Sequence, residues 1–97
     1  MGKGFLEDHE KRILENGLVF EVTIWSVDKT KKYPTGLKYS LICIDPITGN
    51  KVLFDNHHPK GPHYHIDDEE FSYEFESVDK LLQDFRVMAQ EKFGVPI

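Results

Sequence analysis

A chain of 97 residues has room for one domain, 1–97, and its 39% hydrophobic and 12% aromatic content can build a core without disulfides. A net charge of −5 argues against broad, sequence-independent nucleic-acid binding, and no stretch approaches the roughly 20 apolar residues that a membrane helix needs. The polar opening MGKGFLEDHEKR has no apolar signal region and the one cysteine, Cys43, has no internal partner, so a reducing, cytoplasmic setting with no membrane partner is expected.

Lys11 to Leu14 reads as a strand, and Phe5 and Leu6 extend it in preference to forming a short helix. Asn16-Gly17 follows, a pair that tolerates the positive φ angles of a tight hairpin turn. In Leu18 to Val27, Phe20, Val22 and Ile24 alternate with Glu21 and Thr23, the period-two pattern of a half-buried strand. Asp28 to Gly36 is a loop punctuated by Pro34 and Gly36. Leu37 to Ile44 is the next strand and carries Cys43 in the apolar run LKYSLICI, where the thiol behaves as a small buried hydrophobe. A turn through Asp45-Pro46 and Thr48-Gly49-Asn50 leads into a strand from Lys51 to Asp55. His63 to His65 resumes as an extended segment, and the acidic run Asp67 to Glu70 offers a cation site, although four acids before a strand more often form a turn. Glu70 to Phe75 then gives a strand with Phe71, Tyr73 and Phe75 on one face.

The period changes at Ser77, a good N-cap. Asp79 follows in the first turn, Gly94 closes the far end, and Val78, Leu81, Leu82, Phe85, Met88 and Ala89 recur at helical spacing. One apolar stripe needs one surface to cover. The expected fold is α+β: a curved antiparallel sheet of about five strands with a C-terminal helix packed on one face.

Four of the five histidines fall between His57 and His65, in the run FDNHHPKGPHYH. Pro59, Gly61 and Pro62 break the chain into a loop here, and loops held by a rigid sheet are where sites are built. His63 and His65 are two apart, so in an extended segment both rings point to one face, with Cα atoms roughly 6–7 Å apart. That spacing suits a base and an acid on either side of a phosphate, because histidine exchanges protons near neutral pH. Lys60 would then bring a permanent positive charge, and Asp55 would hold one ring's tautomer. The same spacing suits two imidazoles on one metal, with His57, His58 or Asp55 as further ligands, although His-x-His alone is a weak motif. A proline-stiffened loop whose histidines only make hydrogen bonds is the third reading.

Lys29, Lys31, Lys32 and Lys38 form a local basic patch on an acidic chain, with a solvated loop as the plain alternative. Trp25 and Tyr33 offer stacking surfaces at strand ends, and His9 stands alone in an acidic stretch.

The segment LFDNHHPKGPHYHIDDEEFSYEFESVDKLLQDF resembles the TumE family of small prokaryotic toxin-antitoxin proteins. That family has a Y/F-D-N-x-x-x-K-G-D-H-x-H core, an acidic stretch, a Y-x-F strand and an S-V-x-x-L-x-x-D-F helix. The matching positions are Phe54, Asp55, Asn56, Lys60, Gly61, His63 and His65, then Tyr73, Phe75, Ser77, Val78, Leu81, Asp84 and Phe85. Upstream, Asn16-Gly17, the VTIW ending at Trp25 and the LKYSL strand also fit. Pro62 stands where the family has Asp, and His57-His58-Pro59 replaces the usual Glu-Arg-Gly, which removes an arginine and a carboxylate.

The resemblance implies the toxin half of a two-gene module whose partner is an antitoxin, commonly a helix-turn-helix protein. Small toxins of such modules are often ribonucleases, which implies a metal-independent endoribonuclease acting on RNA without a cofactor. His63 and His65 would be its acid and base, with Lys60 and Asp55 in support. Asn56, Lys29, Lys31, Lys32 and Lys38 would hold the RNA. The alternatives are a non-enzymatic protein- or nucleic-acid-binding module, and a histidine-rich metal-binding domain using His57, His58, His63 and His65.

Overall fold

The alternation in the sequence becomes a meander. A computed structural model describes residues 4–14 and 16–96. Within them, six antiparallel strands lie side by side in chain order: β1 (Phe5–Ile13), β2 (Val19–Ser26), β3 (Leu37–Ile44), β4 (Lys51–Asp55), β5 (His63–Ile66) and β6 (Glu69–Ser72). The sheet is open, and α1 (Val78–Phe93) follows it. Each connection joins neighbours, so every strand folds back on the one before it. Gly17, with φ of 86°, takes the positive-φ position of the first turn, and its N–H donates to the Leu14 carbonyl.

The core lies between the helix and the middle of the sheet. Phe20, Val22 and Ile24 pair across with Cys43, Leu41 and Tyr39, while Leu41 and Cys43 pair with Phe54 and Val52. All of these are buried, and they share one face. Onto them α1 lays Leu81, Phe85 and Ala89, spaced four apart and fully buried. The Phe85 ring sits 5.5 Å from Phe20 and 5.9 Å from Phe54, so three aromatics from β2, β4 and α1 form its centre. Burial of each such side chain is worth about 1.5–3 kcal/mol. Ser77 caps α1 by accepting from the Lys80 N–H at 3.1 Å, and Gly94, at φ of 65°, ends it by donating to the Gln90 carbonyl.

The α+β class and the C-terminal helix agree with the sequence reading, and the strand count rises from about five to six. His63–Ile66 is a strand of its own because Asp67-Asp68 is a two-residue turn that pairs Ile66 with Glu69. Asp67 sits at φ of 55°, which aspartate tolerates better than most residues. The final strand therefore starts at Glu69 and stops at Ser72, short of the expected Phe75. Beyond it the Tyr73 N–H donates to the Pro62 carbonyl at 3.1 Å, and its hydroxyl donates to Asp84 of α1 at 2.7 Å. The chain thus leaves the sheet in order to reach the helix.

α1 covers one face only. The other carries two cross-strand rows, Thr23–Ser40–Asp55–His63–Ser72 and Glu21–Ile42–Leu53–His65–Glu70. Among the described residues no helix is long and apolar enough to cross a membrane.

Candidate active site

Tyr64 decides which way its neighbours point. Its ring stacks on Phe54 at 5.1 Å on the helix side, so His63 and His65, one residue to either side, face the bare side of the sheet. The two imidazoles stand 5.0 Å apart between centroids and nearly perpendicular, at 79°.

Their surroundings differ. The side chain of His63 is only 8% exposed, and its Nδ1 lies 2.7 Å from the Gly61 carbonyl oxygen. A carbonyl can only accept, so Nδ1 carries the proton and donates it. In the neutral ring Nε2 is then a bare lone pair, 3.7 Å from Asp55 Oδ1. The tautomer-holding role expected of Asp55 therefore belongs to the backbone of Gly61. Asp55 itself accepts from the His57 N–H at 2.7 Å and stands as a negative charge beside the ring.

His65 is more open, 21% exposed, with Nε2 3.4 Å from Glu70 Oε1. The same carboxylate oxygen accepts from Lys60 Nζ at 2.5 Å. This hydrogen bond from Lys60 holds the Glu70 carboxyl below the usual carboxylate range, with smaller contributions from the lysine's charge and the two histidines. Lys60 thus meets the cluster through Glu70 and does not stand free over the histidines.

Sequence reasoning offers the run Asp67 to Glu70 as a cation site or a turn and does not join Glu70 to the histidines. In the structure only Asp67 and Asp68 form the turn, and Glu70 lies on β6 opposite His65. The pairing of His65 with Glu70 follows once the turn is two residues long. His63, His65 and Glu70 each offer a donor atom within 4.8 Å of the others. They are the one such set of three among the described residues, and it does not include His57 or His58, which are exposed in the loop before β5.

Asn56 was expected at the substrate but is buried, with its amide engaged by the backbone of β3. Its Oδ1 accepts from the Tyr39 N–H at 2.9 Å and its Nδ2 donates to the Leu37 carbonyl at 2.8 Å. Lys31, Lys32 and Lys38 line an open cavity of 640 Å³ together with Thr30 and Tyr33. Lys31 and Lys32 also border a second cavity, of 400 Å³, shared with His58, Pro59 and Pro62. The lysine loop therefore flanks the loop before β5. Lys29 instead runs along Gly36, and Lys38 pairs with Trp25 on the bare face. His9, read as solitary, bonds Glu21 across the β1–β2 pair at 2.9 Å.

These groups can move a proton at two adjacent points, place a cation beside them and gather anions along their flank. Comparison with known proteins adds one finding. A family model described as toxin TumE matches residues 4–92, nearly the whole described length. No curated protein and no solved structure matches the chain.

Proposed function

The chain belongs to the TumE toxin family, and from that premise we propose that it is the toxin of a two-gene module and a metal-independent endoribonuclease. The observation that carries this reading is the pair of imidazoles 5.0 Å apart in unlike environments. His63, its Nδ1–H given to Gly61, presents the Nε2 lone pair and takes the proton from a ribose 2′-hydroxyl. The 2′-oxygen attacks phosphorus and the bond to the 5′-oxygen breaks, leaving a 2′,3′-cyclic phosphate. His65, whose Nε2 lies 3.4 Å from the Glu70 carboxylate, gives its proton to the departing 5′-oxygen. Lys60 contributes positive charge near the phosphate, and Lys31, Lys32 and Lys38 guide the backbone of the strand. On this reading the antitoxin partner, of the helix-turn-helix kind, restrains the activity in the cell.

Cleavage of a mixed RNA by the purified protein tests the reading, with EDTA present and with His65→Ala alongside. Cleavage should persist in EDTA, leave 5′-hydroxyl ends, and fall by about 100-fold or more in the variant, the usual worth of a positioned acid or base. Growth arrest on expression should fall with it. If His65→Ala leaves both cleavage and growth arrest intact, the acid–base assignment is wrong.

A further inference from the structure

We propose that His63, His65 and Glu70 also bind a zinc-type divalent metal ion, and that the bound ion silences the histidine pair. The effect on RNA cleavage rests on the acid–base reading above, whereas the binding does not.

Three features support the ion. First, the donor atoms already converge within 4.8 Å, and the separation of His65 Nε2 from Glu70 Oε1 is 3.4 Å. Tetrahedral zinc with bonds of about 2.0–2.1 Å holds its ligand atoms about 3.4 Å apart, so one of the three edges is preformed. Second, His63 donates Nδ1–H to the Gly61 carbonyl, the outer hydrogen bond that metal-binding histidines almost always make to fix the ring and its tautomer. Its Nε2 is thereby left as the ligand atom. Third, exposure rises outward across the set, with side chains 8%, 21% and 40% open for His63, His65 and Glu70. A rigid inner ligand and two outer ones leave a path in and a fourth position facing solvent, the arrangement of three-ligand zinc sites. Asp55, 3.7 Å from His63 Nε2, adds negative charge beside the ion.

Lys60 opposes this. Its ammonium occupies Glu70, and the ion must displace it. The lysine side chain is 59% exposed, so it can swing into water. Lys60 therefore acts as a competitor that sets how much metal is needed. A metal ion takes the lone pairs of both imidazoles, so neither ring can accept or deliver a proton while it is bound.

Titration of the whole protein with zinc chloride by calorimetry, together with the ring-proton NMR signals of its histidines, tests the proposal. One equivalent should bind, shifting the His63 and His65 signals. Glu70→Gln and His65→Ala, whose side chains are 40% and 21% exposed, should each weaken binding at least tenfold. Lys60→Gln should tighten it several-fold. A His57→Ala/His58→Ala variant should bind as the unaltered protein does. The site is overturned by absence of saturable binding, by affinity unchanged in Glu70→Gln and His65→Ala, or by loss of binding in the His57/His58 variant. If zinc binds and RNA cleavage is unaffected, the inhibitory role falls. If zinc binds and no RNA is cleaved under any condition, the metal site stands and the nuclease reading falls.

Discussion

Tyr39 holds a hydroxyl where no partner meets it. The side chain is 3% exposed and its ring lies against Phe75 at 5.8 Å, yet among the described residues its Oη has no hydrogen bond. Burial, and to a lesser degree the nearby Asp55 charge, push its ionisation well above the usual tyrosine range. A buried hydroxyl without a partner costs about 1–3 kcal/mol of desolvation that the ring's packing must offset. Tyr39→Phe keeps the ring and removes the oxygen, so it should stabilise the fold by about 1 kcal/mol. Thermal unfolding should then move up by roughly 4–8 °C. A fall in melting temperature would mean that the hydroxyl has a partner. Asn56, next door, is the opposite case: a buried amide with both polar groups matched to β3. Its place in the D-N-x-x-x-K-G run suggested contact with substrate. Which backbone groups it would meet depends on how β3 and β4 lie together, and nothing local to Asn56 encodes that.

At the scale of elements, α1 is the part most legible in advance. Its cap, its apolar spacing and its closing glycine are all local signals, and local signals survive folding because the hydrogen bonds they make lie within a few residues. Ser77 accepts from Lys80 N–H, and the capped helix delivers Leu81, Phe85 and Ala89 to the sheet. Ser77→Ala should cost about 1 kcal/mol, read as a lowered urea midpoint with unchanged slope. A changed slope would instead signal a helix end that no longer packs. β5 and β6 were harder to read. Four residues each, they are too short for periodicity to separate strand from loop, and only the two-residue turn at Asp67-Asp68 joins them.

Over the whole molecule, Asp67 and Asp84 tie distant pieces together. Asp67 bonds the Lys92 ammonium near the end of α1 at 2.5 Å and accepts from the Lys51 N–H at the start of β4. The Lys92 hydrogen bond, then the Lys51 one, hold its carboxyl below the ordinary value. Asp84 is lowered chiefly by the Tyr73 hydroxyl, then by Lys80. Carboxyls depressed in the folded state contribute stability that is present above their unfolded value, about 4, and is lost as pH falls through the lower folded values. Melting temperature should therefore fall below about pH 4. Asp67→Asn should lower it at neutral pH and flatten that acid dependence. An unchanged acid slope in the variant would show that the ion pair with Lys92 adds nothing measurable, as holds for many exposed pairs.

By itself the sequence determined that His63 and His65 share a face, because side chains alternate along any strand. It likewise determined which stripe of α1 is buried, because a period of 3.6 admits only one. The tertiary structure alone decided that the histidines face away from the helix, since that depends on Tyr64 stacking on Phe54 from the neighbouring strand. It also decided that Glu70, with Lys60 attached, completes the cluster and that Gly61 orients His63. Those contacts are set by register across the β4–β5–β6 pairing, where a shift of one residue would turn every side chain to the other face. Register is a property of paired strands, and no single segment carries it.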